Sequence, residues 1–347
     1  MLKGLFINNR KAKDSIHESG YMVYQCLKLS DHYSLDYIEV DINNRDIRLG
    51  YDFYFFNYHD VTLSWLNTGP LKKDLGCAIT MILEILPGDA FVRMPGKGFH
   101  IYCALDPTIR SKGKLYAFPR PLEKMDFEIP SAKNEIPVIG TFGFATKGKG
   151  FEHVVEAVNK EFDRAIVRIN IPYGDFVPDS KEYSNYLTDL CKKTAKPGID
   201  VQVTYDFMTK PGLVEWCAAN DLNCFLYDRN FPGLAATTDQ AIITGKPLSV
   251  SDNPTFRHIT AYLPPYPHFS LRDSLERSVP IVKQINEDWS PEKFMKRFEE
   301  VLSANNITAK NKTIGETYQL PLFKPGVKNT FSLRVKKYNR KIKNLFK

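Results

Sequence analysis

Short apolar runs, hydrophobic at consecutive positions, recur along the chain with helical or polar segments between them. The first third reads KGLFIN, YMVYQCLKLS, SLDYIEV, YDFYFFNYH and AITMILEIL. A strand with one wet face alternates apolar and polar residues, whereas a parallel strand buried on both faces does not. The rhythm therefore predicts βαβ units and a doubly wound α/β sheet.

The rhythm stops and starts again. Between Leu115 and Pro137 the chain becomes Pro-rich and loses its period, which predicts an interdomain linker. It resumes with PVIGTFGF, a helix GFEHVVEAVNKEF carrying Phe151, Val154, Val155 and Val158 on one side, and then AIVRINI, SNYLTDLCKKTA, DVQVTYDF, PGLVEWCAAN, NCFLYD, TTDQAIITG and PLSVSD. Pro211 and Gly245 sit where a helix start and stop favour them, and a last helix opens at Ser290 and Pro291. With 347 residues, 43% of them hydrophobic, the chain suffices for two packed domains of comparable size. The boundaries expected are 1–130 and 131–310, with 311–347 as a crossing segment and tail.

The N-terminal apolar run is too short for a signal peptide, and no stretch approaches the roughly 18 apolar residues of a membrane span. A cytoplasmic protein is expected. Cys26, Cys77, Cys103, Cys191, Cys217 and Cys224 lack paired spacing, which argues for core thiols rather than zinc or disulfides. The net charge of +7 resides in the tail: Lys328 to Lys347 contain eight basic residues and no acid. The body is near neutral, so no nucleic-acid partner is expected.

Residues Gly143 to Gly150, GFATKGKG, fit the spacing G-x-x-x-x-G-K of phosphate-cradling loops up to the last letter. That letter should be a Ser or Thr ligating Mg²⁺, and here it is Gly150. Lys149 lies after a strand and at the mouth of a helix, where N–H groups and the helix dipole favour an anion. A flexible Gly/Lys turn has the same spacing. A nucleotide hydrolase or kinase is a further reading, weakened by Gly150 and by the repeated halves.

A second element follows strand NCFLYD: Phe231 to Asp252, FPGLAATTDQAIITGKPLSVSD, a loop, a helix and a strand. Its QAIITGKP, Gln240 to Pro247, with the KGF of Lys149 to Phe151 after GTFGF, resembles the donor-binding core of GT-B glycosyltransferases of the bacterial polysaccharide type, with a family 4-like second domain. The resemblance covers about Ile136 to Thr260 by motif and the N-terminal half by architecture. It implies an α/β protein of two Rossmann-like domains facing each other across a cleft, moving a sugar from a nucleotide-sugar donor to a glycan or lipid-linked acceptor, with retention of configuration. A departing nucleoside diphosphate gains negative charge as the sugar–phosphate bond breaks, which a lysine and oriented donors stabilise. Lys149 would supply the cation beside Gly143 and Lys147, and Thr237 and Thr238 the neutral donors. Asp239 or Gln240 would hold the ribose, and Tyr205 to Met208, including Phe207, the base. No metal or other cofactor is then expected.

The chain also departs from that pattern. Where many members carry two glutamates eight apart it has Pro232 and Gln240, and an arginine often found near the first glycine is replaced around Phe144. The departures imply a different sugar, or a binding subunit that has lost activity.

In the N-terminal half the candidates are polar residues at strand ends: His59 and Glu84 as catalytic groups, with His17, Gly20 and Asp106 on the acceptor side. Arg257 and His258 would more often be surface residues of a helix. In the tail, Val335, Tyr338, Ile342 and Leu345 form an apolar stripe on a helix whose other face is basic. That is the pattern of a segment lying on an anionic membrane surface, and also of a helix docked on its own protein; lipid-linked acceptors favour the former.

Overall fold

The computed structural model describes residues 1–10, 15–59, 62–83, 98–127, 134–174, 179–229, 233–310 and 312–323. Its strands are β1 Leu2–Asn9, β2 Tyr33–Val40, β3 Asp46–Arg48, β4 Phe53–Asn57, β5 Ala78–Ile82, β6 Ile101–Ala104, β7 Leu115–Ala117, β8 Val138–Phe142, β9 Ala165–Asn170, β10 Ile199–Thr204, β11 Leu222–Phe225, β12 Leu248–Val250 and β13 Thr317–Gln319. The helices are α1 Ser15–Leu27, α2 Leu71–Asp74, α3 Phe151–Glu161, α4 Ser180–Thr194, α5 Lys210–Ala218, α6 Thr237–Ile243, α7 Arg257–Thr260, α8 Leu271–Arg277, α9 Val279–Asp288 and α10 Pro291–Ala304.

Among the described residues two sheets are wholly parallel, in the orders β2-β1-β4-β5-β6-β7 and β10-β9-β8-β11-β12. Of the apolar runs in the first third, KGLFIN, YDFYFFNYH and AITMILEIL carry the central strands β1, β4 and β5, whereas SLDYIEV is the edge strand β2 and YMVYQCL belongs to helix α1. Every residue of β4, FYFFN, is buried, as is every residue of β5, AITMI. Each sheet carries an apolar layer on both faces, which is why these strands show no alternation.

The chain divides into two compact units, the described residues of Met1–Pro121 with those of Pro291–Lys347, and Leu122–Ser290. Two sequence-based placements change as a result. Leu115–Ala117, expected in the linker, is the edge strand β7 paired with β6. Helix α10, expected with 131–310, belongs to the first unit: Phe294, Phe298, Val301 and Leu302 bury themselves with Val23, Cys26 and Leu27 of α1 and with Tyr33, Phe53 and Phe55. The ring of Phe298 lies 5.3 Å from that of Phe55. Periodicity marks the apolar face of a helix but not the sheet it covers. Within the segment expected to cross, β13 returns to pair antiparallel with β3.

In the second unit α3 follows from its sequence. Phe151, Val154, Val155, Ala157 and Val158 form one stripe, and all are buried. Helix α5 opens on Thr209, whose side chain accepts from the Gly212 N–H, with proline in its first turn. All six cysteines are buried and unbridged, and burial pushes the Cys77 thiol up to about 11 and that of Cys191 to about 12. They act as core residues.

Candidate active site

The chain leaves β8 toward β9 and leaves β11 toward β12, so strand order reverses between β8 and β11. Open α/β sheets bind ligands beyond the carboxyl ends of the strands at such a reversal. The loop Gly143–Gly150 leaves β8 there, and Leu226–Arg229 leaves β11.

The two segments are packed backbone to backbone. Gly148, at φ +77, comes so near that an added Cβ would stand 2.8 Å from the Arg229 Cα, and one on Gly150 would meet the Leu226 carbonyl oxygen. The Asp228 N–H donates to the Gly148 carbonyl at 3.2 Å. These glycines aim Lys149. Its ammonium donates to the Tyr227 hydroxyl at 2.8 Å and stands 4.4 Å from the Tyr227 ring centroid. That hydroxyl is 2.9 Å from the Thr237 Oγ1, on α6. The Arg229 guanidinium lies against the same ring at 5.0 Å. A Cβ on Gly143 would come 3.3 Å from the Lys149 Nζ, so the ammonium also closes over the start of its own loop.

The remaining expected donor residues lie around this chain of contacts. Lys147 is exposed and Gln240 half-buried. Thr238 and Asp239 are buried, and the Thr238 hydroxyl gives its proton to the Ala235 carbonyl at 2.9 Å. A hydroxyl has one proton, so Thr237 is the hydroxyl that joins the lysine. Asn170, which ends β9, accepts at Oδ1 from the hydroxyl of Thr204, which ends β10, at 2.9 Å and from the Asp206 N–H at 3.1 Å, pinning the turn after β10. Phe207 in that turn is 78% exposed, its ring 6.3 Å from that of Phe144. Tyr205 stacks on Tyr173 at 5.0 Å and its hydroxyl meets Thr188. His258, expected at the surface, is fully buried and stacked 5.5 Å from Trp289, because the short helix α7 turns it inward. Arg257 is half-buried, its guanidinium donating to the Pro254 carbonyl.

In the first unit strand order reverses between β1 and β4, and a polar layer lies at their ends. The Asn57 amide donates to Asn8 Oδ1 at 2.6 Å and to the Ile16 carbonyl at 2.8 Å. Gly20 lies over this layer, where a Cβ would stand 2.2 Å from the Asn57 Nδ2. His17 is buried, its Nε2 2.8 Å from Glu39 Oε1, and Tyr37 donates to the same oxygen at 3.1 Å. The structure thus joins His17 and Gly20 to Asn8, Glu39 and Asn57. His59 follows β4 and is half-buried. Asp106 is set apart: its buried carboxylate caps the turn after β6, accepting from the Thr108 N–H and hydroxyl. Glu84, Pro232 and the tail stripe Val335, Tyr338, Ile342 and Leu345 lie outside the described residues.

No protein-family model and no curated protein matches the sequence, but solved structures do. A glycosyltransferase from Rickettsia africae superposes with a TM-score of 0.61 at 11% identity, over 90% of this chain and 99% of that one. Anabaena HepE in complex with UDP and glucose gives 0.55 at 12% identity, over 88% and 100%. Sucrose-phosphate synthase from Thermosynechococcus elongatus gives 0.55 at 10%, over 88% and 99%. The chain has the GT-B glycosyltransferase fold. Within that fold, two residues beside Lys149 escaped the sequence reading. Tyr227 and Arg229 end the run NCFLYDR, where an aromatic after apolar residues reads as core; the signal that could have found them is the pair of charged residues, Asp228 and Arg229, closing a buried strand.

Among the described residues no helix is long and apolar enough to cross a membrane.

Proposed function

We propose that the chain is a glycosyltransferase moving a sugar from a nucleotide-sugar to a glycan or lipid-linked acceptor in cell-surface polysaccharide synthesis, with retention of configuration and without a metal ion. The observation that carries this reading is the Lys149–Tyr227–Thr237 chain at the strand reversal, in a fold shared with a protein crystallised with UDP-glucose. As the sugar–phosphate bond lengthens, charge grows on the departing phosphate oxygens. A fixed ammonium and a hydroxyl already aimed there stabilise that charge without reorganising. Gly143 leaves room for the phosphates, Lys147 adds a distant positive charge, and Asp239 or Gln240 takes the ribose. Exposed Phe207, with the Phe144 ring beside it, offers the base an aromatic surface, and Tyr205 lies two residues earlier, stacked on Tyr173.

On the acceptor side we assign His17, Gly20 and Asp106, with His59 and Glu84 as the acid–base candidates. The His17–Glu39 pair is the best formed of these, since the carboxylate orients the ring. The basic tail from about Phe331 would hold the enzyme peripherally at the inner face of a membrane. Each Lys or Arg at an anionic surface contributes about 1 kcal/mol. Co-sedimentation with anionic liposomes should weaken with salt and vanish on truncation after Thr330; equal pelleting of both forms would remove the membrane from the proposal.

The deciding experiment incubates the protein with UDP-, GDP-, ADP- and dTDP-sugars and a lipid-linked saccharide, with and without chelator, and follows nucleoside diphosphate release. Release from one donor class in chelator supports the proposal. Consumption of a nucleoside triphosphate with Mg²⁺ would replace it by a hydrolase, and nucleotide binding without turnover by a binding subunit.

A further inference from the structure

The amino ends of β5, β6 and β7 gather cations from four segments of the chain. His100 directly precedes β6 and Lys114 directly precedes β7. The His100 N–H donates to the Ala78 carbonyl at 2.7 Å and the Tyr102 N–H to the Lys114 carbonyl at 2.8 Å, so the two stand on neighbouring strand ends. Lys72 comes from α2, ahead of β5, and Lys310 from the segment after α10. The Lys310 ammonium lies over the turn into β5, where a Cβ on Gly76 would stand 3.1 Å from it.

The arrangement is held from below. The Lys310 N–H donates to Asp52 Oδ1 at 2.7 Å. The Lys114 ammonium donates to Asn305 Oδ1 at 2.6 Å, and the Asn305 amide to the Val301 carbonyl of α10 at 2.7 Å. The carboxylates at this end are turned to other groups: Asp52 receives the Lys3 and Lys310 N–H groups at its two oxygens, and Asp74 the Tyr318 hydroxyl. Among the described residues neither Lys114 nor Lys310 forms an ion pair with a carboxylate.

Two interior groups register the convergence. Burial pushes the Cys77 thiol up, and Lys310 and Lys114 pull against that shift. Burial holds the His100 imidazole below its ordinary value, and Lys72, Lys114 and Lys310 push the same way. His100 Nδ1 accepts from the Ala78 N–H at 3.0 Å, so the neutral ring carries its proton on Nε2. Cations held together at a protein surface raise the local concentration of anions. A phosphate group suits the place, since its charge answers the ammonium groups and its oxygens accept from them and from the Nε2–H.

We propose that Lys72, His100, Lys114 and Lys310 form a binding site for a phosphate group, at the end of the first sheet opposite the polar layer of Asn8 and Asn57. The site lies in the first unit, whereas the donor loop lies in the second, and it stands independently of the glycosyltransferase reading. Its ligand is free phosphate or the phosphate of a lipid headgroup.

NMR of the full chain labelled at histidine Cε1, with His100 identified by His100→Gln, tests the site. Orthophosphate added at constant ionic strength should move the His100 resonance saturably. It should also raise the titration midpoint of His100 by about one pH unit, because an anion beside the ring favours its charged form. Lys114→Gln and Lys310→Gln should each weaken phosphate severalfold. Lys112→Gln, which removes the same charge from the turn ahead of β7, should bind like the parent, and thermal melting confirms that each variant is folded. The response should persist in Lys149→Gln, which separates it from anion binding at the donor loop. A water-soluble, short-chain phosphatidate distinguishes the sources: a response to it alone assigns a lipid headgroup, to orthophosphate alone a free anion, and to both a site open to either. No saturable shift with either ligand, an equal loss in Lys112→Gln, or a response abolished in Lys149→Gln overturns the proposal.

Discussion

The α-carbon of Gly150 lies against the carbonyl oxygen of Leu226, so that a Cβ there would stand 1.9 Å from it. Gly150 also has φ +63, the left-handed region. Two independent constraints exclude a side chain from the position where phosphate-cradling loops of nucleotide hydrolases carry a metal-binding hydroxyl. The departure noted in the sequence is a packing requirement of the loop on β11.

Gly150→Ala should therefore destabilise the second unit by about 2–4 kcal/mol, combining overpacking with a left-handed backbone. Gly150→Thr, which restores the hydroxyl, should be worse and gain no triphosphatase activity. Chemical denaturation and a phosphate-release assay read the two outcomes.

Lys149→Ala should leave melting nearly unchanged, because the side chain is only half-buried. Turnover at saturating donor should fall on the order of 10² to 10³, equivalent to about 2–4 kcal/mol of charge stabilisation. Exposed Lys147→Ala should lose much less. Parent-like turnover by Lys149→Ala would remove the lysine from the chemistry.

His153 of α3 lies 3.3 Å from both Glu156 and Asp228. Burial works to lower its pKa, but the hydrogen bonds to Glu156 and Asp228 outweigh that and raise it above the ordinary 6.5. A group raised in the folded state stabilises fully below its unfolded value and loses that contribution as pH rises through the folded one. The melting difference between the parent and His153→Asn should be largest on the acid side of 6.5 and shrink toward alkaline pH. Its size should stay near 0.5 kcal/mol or roughly below, since the ring is partly solvated. A difference that grows with pH would contradict the assignment.

Gly20 and Asn57 should be coupled. Gly20→Ala places a methyl 2.2 Å from the Asn57 amide and should cost about 1–3 kcal/mol. Asn57→Ala removes buried hydrogen bonds at a similar cost. Together they should cost clearly less than their sum, because the second change vacates the space the first invades. Additive unfolding energies would show that the close approach relaxes freely.

The sheets were legible because parallel strands buried on both faces announce themselves as unbroken apolar runs, and β4 and β5 are the plainest cases. Strand β7 was not: three residues followed by a Pro-rich stretch carry no period. Nor was β13, three residues whose partner β3 lies at the other end of the chain. The position of Lys149, between β8 and α3, was legible from glycine spacing, which records the close approach of backbones. Tyr227 and Arg229 were not, because their role depends on proximity to a loop far away in sequence, and a buried tyrosine at a strand end looks like any other core aromatic. His258 shows the opposite error, since a polar residue on a short helix reads as solvated until Trp289 is seen stacked on it.

Because α10 completes the apolar layer over the first sheet, the second unit, Leu122–Ser290, is an insertion within the first. On the ribosome, where synthesis runs at about 5–20 residues per second, strands β1 to β7 emerge first and then stand on the order of ten to thirty seconds without Phe294 and Phe298. The inserted unit, contiguous in sequence, can close its own core during that interval. The first sheet is thus made before the inserted unit and finished after it, and its aromatic face is the surface a nascent-chain chaperone would meet.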